Sequence, residues 1–272
     1  MGSRCRVAAL QMTSGPDVAA NLAQAAALLE EAAHADAAVA VLPENFAFMG
    51  LNDADKRGVA EADGEGPIQE FLARTARTLG LWIVAGTVPL RAGDDGRVAA
   101  ASLVFDAKGE RVARYDKIHL FDVDIPGRNE SYRESAHVAP GRTPVVVDTP
   151  AGRLGMAVCY DVRFPELFRR LSAAGAQWFS VPSAFTGPTG RAHWETLLRA
   201  RAIENLSYVV APAQSGFHAN GRETYGDSLI ADYWGRVLRR LPRGRGCVVA
   251  EIDLEAQAAA RESFPALGHR VL

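Results

Sequence analysis

The sequence has few of the residues that build disulfide, metal-binding and membrane-spanning structures. Its three cysteines are far apart and form no CxxC pair, and its six histidines form no HExxH motif. An odd number of scattered cysteines suits neither a disulfide framework nor a zinc site, so we expect a cytoplasmic protein with reduced thiols and no metal. No uninterrupted apolar run approaches the roughly 20 residues of a membrane span. The start, MGSRCRVAALQM, passes directly into a predicted strand, so we expect no signal peptide.

An excess of charge of either sign is also missing. The chain has 30 basic and 32 acidic residues and no basic cluster, which argues against nucleic acid or an anionic membrane as the main partner. Apolar residues make up 48% of the 272 residues, too many for a disordered chain. No linker-like stretch interrupts the sequence, which therefore predicts one domain over residues 1–272.

Segments with the pattern of strands alternate with segments that have the pattern of helices. Apolar runs at 5–12 and 38–44 predict buried strands, and the sequence between them has the helical apolar period, with Asp17 as its N-cap. Pro67 and Gly80 enclose a second predicted helix. Hairpin patterns later in the chain favour an α/β fold whose sheets are mixed rather than purely parallel.

Cys159 is the first candidate for a reactive side chain. It follows the apolar run LGMAV and precedes YDVRFPELF, in which Pro165 suits the first turn of a helix. At such a junction the helix dipole and backbone N–H groups favour a thiolate over a thiol, and the same N–H groups can form an oxyanion hole. Cys5 and Cys247 lie inside apolar strands without a charged cluster beside them, so we interpret both as core cysteines.

Two charged residues could assist a cysteine nucleophile. Glu44 directly follows the apolar run AVAVLP, a place suited to proton transfer, although the local sequence alone favours an ordinary loop carboxylate. Lys117 lies in YDKIHLFD, in a long polar loop predicted from 116 to 143, and loops of that length usually have a function. Only three of the basic residues are lysines, so a lysine at this position indicates a need for a compact cation. Lys56 and Lys108 lie in polar turns, and we predict that both are solvated.

The segments LPENF, YDKIHLFD and GMAVCYDVRFPEL resemble, in order and spacing, the motifs of the carbon–nitrogen hydrolase (nitrilase) superfamily. The resemblance extends over essentially the whole chain. The segments VDIPGRNE, RESAHVAPG, PSAFTGPTGRAHWETLLRARAIEN and YGDSLIADYWG are most similar to the deaminated glutathione amidase branch, with the ω-amidases as nearest relatives. The resemblance implies a four-layer α-β-β-α sandwich, a homodimer or larger homo-oligomer, and an amidase that needs no cofactor.

The resemblance also implies a role for five residues. The second glutamate of the family corresponds to position 134 rather than to the nearby Glu130, because only position 134 lies in the ES-x-x-x-x-PG context of ESAHVAPG. The implied roles are nucleophile for Cys159, general base for Glu44, oxyanion stabiliser for Lys117, supporting carboxylate for Glu134 and backbone oxyanion donor for Tyr160.

The substrate implied by this branch is a small amide with a 2-oxo-dicarboxylate acyl part. Deaminated glutathione would be cleaved to 2-oxoglutarate and cysteinylglycine, and the alternative is an ω-amidase that acts on 2-oxoglutaramate. A substrate with a carboxylate at each end needs further donors in the pocket. We predict Arg163 and Arg191 as charged donors and Thr186 and Thr189 as neutral ones.

Three other interpretations remain open. A papain-like hydrolase would pair the cysteine with His119 or His193, a transferase would pass the acyl group to an amine, and a degenerate member would only bind ligands. The presence of Glu44, Lys117 and Cys159, the catalytic triad of the family, argues against a member that only binds ligands. The lack of membrane spans or extra domains argues against a transferase.

The implied assembly gives one further expectation. Apolar positions on the predicted helices 165–175 and 193–205 should be exposed on the single chain and buried against a second copy. These positions are Leu167, Leu171, Leu197 and Leu198.

Overall fold

The computed structural model describes residues 4–93, 95–125 and 130–271. Pro126 and Gly127, which the sequence analysis placed in a loop, lie outside these ranges. The α-helices are α1 (Val18–His34), α2 (Pro67–Leu79), α3 (Pro165–Ala173), α4 (Gly187–Asn205) and α5 (Leu254–Ser263). The strands are β1 (Arg4–Gln11), β2 (Val39–Leu42), β3 (Trp82–Ala85), β4 (Val88–Arg91), β5 (Val98–Phe105), β6 (Arg111–Asp116), β7 (Asp122–Asp124), β8 (Ser131–Arg133), β9 (Val146–Thr149), β10 (Gly152–Met156), β11 (Trp178–Ser180), β12 (Tyr208–Ala211), β13 (Ser215–Phe217), β14 (Glu223–Tyr225), β15 (Ser228–Ala231), β16 (Val237–Leu241) and β17 (Gly246–Asp253).

Two large mixed sheets share the same plan. The first has the order β17-β1-β2-β3-β5-β4, with β6 paired to β5, and the second has the order β16-β15-β12-β11-β10-β9. In each sheet three neighbouring strands are parallel: β1, β2 and β3 in the first, and β10, β11 and β12 in the second. The connections between these parallel strands are α1 and α2 in the first sheet and α3 and α4 in the second, as parallel pairing requires.

Alternating side chains of the first sheet divide the core into two clusters. Ala8, Ala40 and Ile83 face α1 and α2. Their neighbours along the strands, such as Val7 and Val39, join a cluster with the second sheet, α3 and α4. The order of the layers is therefore helices, sheet, sheet, helices, which confirms the predicted α-β-β-α sandwich with mixed sheets.

The local signals for helices are also confirmed. The side chain of Asp17 accepts a hydrogen bond from the Ala20 N–H and caps α1. Helix α2 begins at Pro67 and ends before Gly80, which has the left-handed backbone conformation. The segment 116–143 differs from the prediction, because it contains the short hairpin β7–β8 and a 3₁₀ turn over Glu134–Ala136 rather than only loop.

The expected exposure of four leucines was wrong. Leu167, Leu171 and Leu198 are buried in the core of their own chain, and Leu197 packs partly buried against the same cluster. The apolar faces of α3 and α4 pack on the second sheet, so the three buried leucines are not available to an interface between copies.

Candidate active site

The three residues of the predicted triad all lie where strands end. Glu44 comes two residues after β2, Lys117 directly follows β6, and Cys159 comes three residues after β10. Glu44 follows a strand of the first sheet and Cys159 follows a strand of the second, and side chains of both strands meet in one core cluster. The fold therefore brings together residues that are far apart in the sequence.

The backbone at two of these strand ends has an unusual conformation. Cys159 has φ of +46° and Asn45, next to Glu44, has φ of +57°, both in the left-handed region that few non-glycine residues adopt. Gly86 packs so closely on the carbonyl of Pro43 that an added Cβ would lie 1.9 Å from that oxygen. Such constrained backbone is typical of sites where a side chain must be aimed in one direction.

The side chains form a buried chain of hydrogen bonds. The Lys117 ammonium donates to Glu44 Oε1 at 2.8 Å and to the two carboxylate oxygens of Glu134 at 3.0 and 2.9 Å. The Cys159 thiol lies beside the Glu44 carboxylate, near enough for each group to shift the pKa of the other. Phe121 N–H holds Glu134 Oε2 at 2.7 Å. One ammonium thus lies between two carboxylates, one of which contacts the thiol.

The electrostatics of this cluster differ from the sequence-based expectation. Burial and the neighbouring Glu44 carboxylate raise the pKa of the Cys159 thiol, so the expected bias toward thiolate was wrong. Burial alone would also raise the pKa of Glu44, but the charge and hydrogen bond of Lys117 outweigh it and lower that pKa. Burial opposes the charge of Lys117, yet Glu134 and Glu44 raise its pKa well above the usual value. The resting cluster is therefore a thiol, a carboxylate and an ammonium.

Neither histidine considered as an alternative base is paired with Cys159. His119 Nδ1 lies 2.7 Å from Asp161 Oδ1, and its ring stacks on Phe164. His193 Nδ1 lies 3.2 Å from the Arg163 guanidinium. Asp161 is fully buried and accepts hydrogen bonds from the turn at Cys159 and from the segment after β6. This aspartate therefore joins the two segments that hold the thiol and the ammonium.

A pocket opens onto the cluster. Besides the triad and Glu134, its walls include three of the other predicted site residues, Tyr160, Thr186 and Thr189. Tyr160 lies in the first turn of the 3₁₀ segment Cys159–Arg163, where N–H groups have no acceptor within the helix. Thr186 is the N-cap of α4, and its hydroxyl lies 2.8 Å from that of Thr189.

The structure does not bring the two predicted arginines to this pocket. Arg163 lies over the outer faces of Tyr160 and Phe185, next to His193. Arg191 is exposed on α4, and both it and Glu223 approach Gly187. Neither arginine is among the residues that line the pocket.

Two other cations line the pocket, and the sequence analysis missed both. Lys56 was predicted to be a solvated lysine, but its side chain is only 15% exposed and its nearest carboxylate is Asp53 at 3.8 Å. Arg222 reaches the pocket from the turn between β13 and β14. Its guanidinium donates to the Ala184 carbonyl and lies 5.1 Å from the centre of the Tyr132 ring. The only sequence signal for Lys56 was the scarcity of lysine, and Arg222 had none.

The model of the family named Carbon-nitrogen hydrolase matches residues 6–262 of the chain. The chain belongs to the carbon–nitrogen hydrolase family. It is therefore a hydrolytic enzyme that acts on amides. In the described residues no group of His, Cys, Asp and Glu side chains is arranged to hold a metal ion, and no helix is long and apolar enough to cross a membrane.

Relatives of this hydrolase extend over nearly its whole length. It is 43% identical over 264 residues to the deaminated glutathione amidase of Yersinia enterocolitica, covering 97% of this chain and 92% of that protein. The human protein of the same name is 42% identical, over 97% of this chain and 81% of its own length. The crystal structure of the C. elegans NitFhit protein superposes with a TM-score of 0.91 at 40% identity, over 98% of this chain and 65% of that one.

Proposed function

We propose that this hydrolase cleaves the ω-amide bond of deaminated glutathione and releases 2-oxoglutarate and cysteinylglycine. The observation that carries the proposal is a thiol beside a carboxylate that accepts a hydrogen bond of 2.8 Å from a buried ammonium. The choice of substrate is supported by relatives that are 39% to 43% identical and are named deaminated glutathione amidases. The same geometry suits other small amides, of which 2-oxoglutaramate is the nearest alternative.

The first half of the reaction forms a thioester. Glu44 removes the proton of the Cys159 thiol as the sulfur attacks the amide carbon, so the thiolate exists only while it reacts. Negative charge develops on the amide oxygen, where the Lys117 ammonium and the Tyr160 N–H stabilise it. Removing one such donor typically slows a reaction about 100- to 1000-fold. Glu44 then gives its proton to the leaving nitrogen, the C–N bond breaks and the amine departs.

The second half of the reaction returns the enzyme to its resting state. Glu44, again a carboxylate, takes a proton from a water molecule, and the resulting nucleophile attacks the thioester carbon. The same oxyanion donors stabilise the second tetrahedral intermediate. The C–S bond breaks, the thiol regains its proton through Glu44, and the carboxylic acid product leaves. Glu134 holds Lys117 in place throughout, because both of its oxygens accept from the ammonium.

Lys56 supplies the positive charge for the acyl part of the substrate. It lines the pocket with Cys159, and its ammonium has no carboxylate closer than 3.8 Å in the described residues. A 2-oxo-dicarboxylate acyl group attached at Cys159 has one free carboxylate, which a partly buried cation binds more strongly than a fully exposed one. Thr186 and Thr189 line the same pocket as neutral donors for the 2-oxo group.

We expect purified enzyme to hydrolyse deaminated glutathione faster than 2-oxoglutaramate when both are supplied at the same low concentration. Release of 2-oxoglutarate, measured by a coupled dehydrogenase assay, gives kcat/KM for each substrate. Cys159→Ala, which lacks the nucleophile, is the control for background hydrolysis. Faster turnover of 2-oxoglutaramate would favour the ω-amidase alternative instead.

The hydrolase is also proposed to form a homodimer or larger homo-oligomer, through a surface other than the one expected from the leucines. Three large apolar side chains, Ile203, Trp234 and Phe264, are about half exposed. The Trp234 and Phe264 rings are 5.5 Å apart, and Ile203 packs on Gly235, the residue next to Trp234. A contiguous exposed apolar patch of this kind is typical of a protein interface.

We expect sedimentation at micromolar concentration to give the mass of at least two chains. Trp234→Glu should shift the protein toward the monomer, because it places a charge in the centre of the patch. Val112→Glu is the matched control, since Val112 is 41% exposed on β6 and lies outside the patch. A wild-type monomer, or a Trp234→Glu protein of unchanged mass, would contradict the proposed interface.

A further inference from the structure

The cleft continues beyond the catalytic pocket into a second, larger space, here called the outer compartment. It is lined by residues that include Leu51, His137, Phe217, Asn220 and Glu223. Asp53, Tyr132 and Arg222 line both this compartment and the catalytic pocket. The two spaces therefore meet at these three residues, and a ligand longer than the acyl group would extend from one into the other.

Unpaired polar atoms are concentrated in the wall of the outer compartment. Across the described ranges, four buried side-chain nitrogen or oxygen atoms have no hydrogen-bond partner. Two of the four are His137 Nδ1 and Arg222 Nε, and both residues line the compartment. An unpaired buried polar atom costs stability, so the fold holds both side chains in this wall at an energetic cost.

Arg222 has a charge without a counter-charge. In the chain as described, no carboxylate oxygen lies within 4.0 Å of its guanidinium, and only one protein acceptor, the Ala184 carbonyl, is recorded for it. The guanidinium also lies over the ring of Tyr132. Ala184 and Cys159 line the same pocket, so the guanidinium is held by a residue of the catalytic pocket wall. A planar, oriented guanidinium is suited to binding a carboxylate through two parallel hydrogen bonds.

The apolar part of the compartment suits the rest of a small peptide. Phe217 is 74% exposed and Leu51 is 56% exposed, an unusual state for side chains of this size at the mouth of a cleft. The carboxylates in the wall are Asp53, Glu130 and Glu223. Asp53 lies at the junction of the two spaces, where a newly released amine becomes a positively charged ammonium.

We propose that the outer compartment binds the leaving amine of the substrate, and that Arg222 binds the carboxylate of a dipeptide-sized amine. This inference rests on the proposed function, in which the acyl group occupies the catalytic pocket beside Lys56. It makes Arg222 the residue that distinguishes a peptide-like amide from a simple amide. Ammonia, the leaving group of 2-oxoglutaramate, does not reach the outer compartment.

The test uses three ω-amides of 2-oxoglutarate that differ only in the amine: cysteinylglycine, cysteinylglycine with its carboxylate converted to a carboxamide, and ammonia. We expect wild-type enzyme to prefer the carboxylate to the carboxamide by about 10- to 100-fold in kcat/KM, mainly through KM, since one charged contact is involved. Arg222→Met should remove this preference, and Arg222→Lys should retain part of it.

Two further variants complete the experiment. Lys56→Met should lower kcat/KM for all three amides by similar factors, because all three carry the same acyl carboxylate. Arg239→Met is the matched control, since Arg239 is an exposed arginine on β16 and lines neither space. The comparison between carboxylate and carboxamide in the wild type does not depend on whether the Arg222 variants fold.

The possible failures are distinguishable. If wild-type enzyme hydrolyses none of the three amides, the proposed function is wrong. If it hydrolyses them but shows no preference for the carboxylate, or if Arg222→Met keeps the preference, the function stands and the role of Arg222 is overturned. A selective loss in Arg191→Ala instead would assign the carboxylate to the arginine predicted from the sequence.

Discussion

Replacement of Glu44 by glutamine is expected to lower kcat by about 100- to 10,000-fold, the range that a general base contributes. The expectation follows from the state of the thiol. Since burial and Glu44 itself raise the pKa of Cys159, the sulfur does not ionise at neutral pH without a base beside it. Glutamine has nearly the same shape as glutamate but cannot take the proton. The fold should persist, because Lys117 keeps both hydrogen bonds to Glu134.

Alkylation offers a measurement of the same step that does not depend on the substrate. Iodoacetamide should modify Cys159 of the wild type before Cys5 or Cys247, as followed by peptide mass spectrometry, because the Glu44 carboxylate beside Cys159 is itself held by Lys117 and serves as a base in the reaction, whereas Glu31 acts on Cys247 only through its charge. In Glu44→Gln this advantage should disappear. Equal labelling of all three cysteines in the wild type, or turnover near the wild-type rate in Glu44→Gln, would remove Glu44 from the role of base.

The dependence of activity on pH follows from the same pair. A base works above its pKa, and Lys117 lowers the pKa of Glu44 below the usual value. Activity should therefore persist as the pH falls from neutral toward about 4.3, the ordinary value for glutamate, and decline only below it. On the alkaline side the raised pKa of Lys117 keeps the ammonium charged past the usual lysine range.

The α/β class with mixed sheets could be predicted because its signals are local, whereas the four layers and the triad roles of Glu44, Lys117 and Cys159 came from the resemblance to carbon–nitrogen hydrolases. Glu44 and Cys159 each follow a short apolar run, and such runs predict strands whose ends carry function in α/β folds. Capping by Asp17 and the Pro67–Gly80 helix likewise depend only on nearby residues.

The rest of the site depends on contacts between distant segments. Lys56 lies in DADKRG and Arg222 in HANGRET, which are ordinary polar turns until the fold closes them over the pocket. The leucines of α3 and α4 show only that one face of each helix is buried, and the local sequence does not show whether a sheet or another copy covers it. The local helix dipole predicted a lowered pKa for Cys159, but burial and Glu44 raise that pKa.

Replacement of Lys117 by methionine is expected to impair both stability and activity. The variant leaves the carboxylates of Glu44 and Glu134 without their shared cation, and their side chains are only 6% and 12% exposed. Removing one partner of a buried ion pair typically costs about 3 to 5 kcal/mol of unfolding free energy. Activity is lost as well, since the oxyanion loses a donor. Lys117→Arg should also be inactive, because a planar guanidinium cannot replace a compact ammonium between two carboxylates.

Urea unfolding at pH 5 and pH 8 checks this prediction, because the expected loss of unfolding free energy differs between the two pH values in a known direction. In the wild type the lowered pKa of Glu44 stabilises the fold at pH values above the usual glutamate pKa. The raised pKa of Lys117 stabilises the fold at pH values below the usual lysine pKa. Both pH 5 and pH 8 lie between these limits, so the cluster contributes equally to stability at the two pH values. In Lys117→Met, burial becomes the dominant influence on Glu44 and raises its pKa, so the folded state binds an extra proton at low pH. The variant should therefore be closer to the wild type in stability at pH 5 than at pH 8.

The double variant Lys117→Met/Glu134→Gln, with one buried carboxylate fewer, should regain stability at pH 8 while remaining inactive. Equal losses at both pH values, or recovery of turnover in the double variant, would show that Lys117 does not act through these two carboxylates.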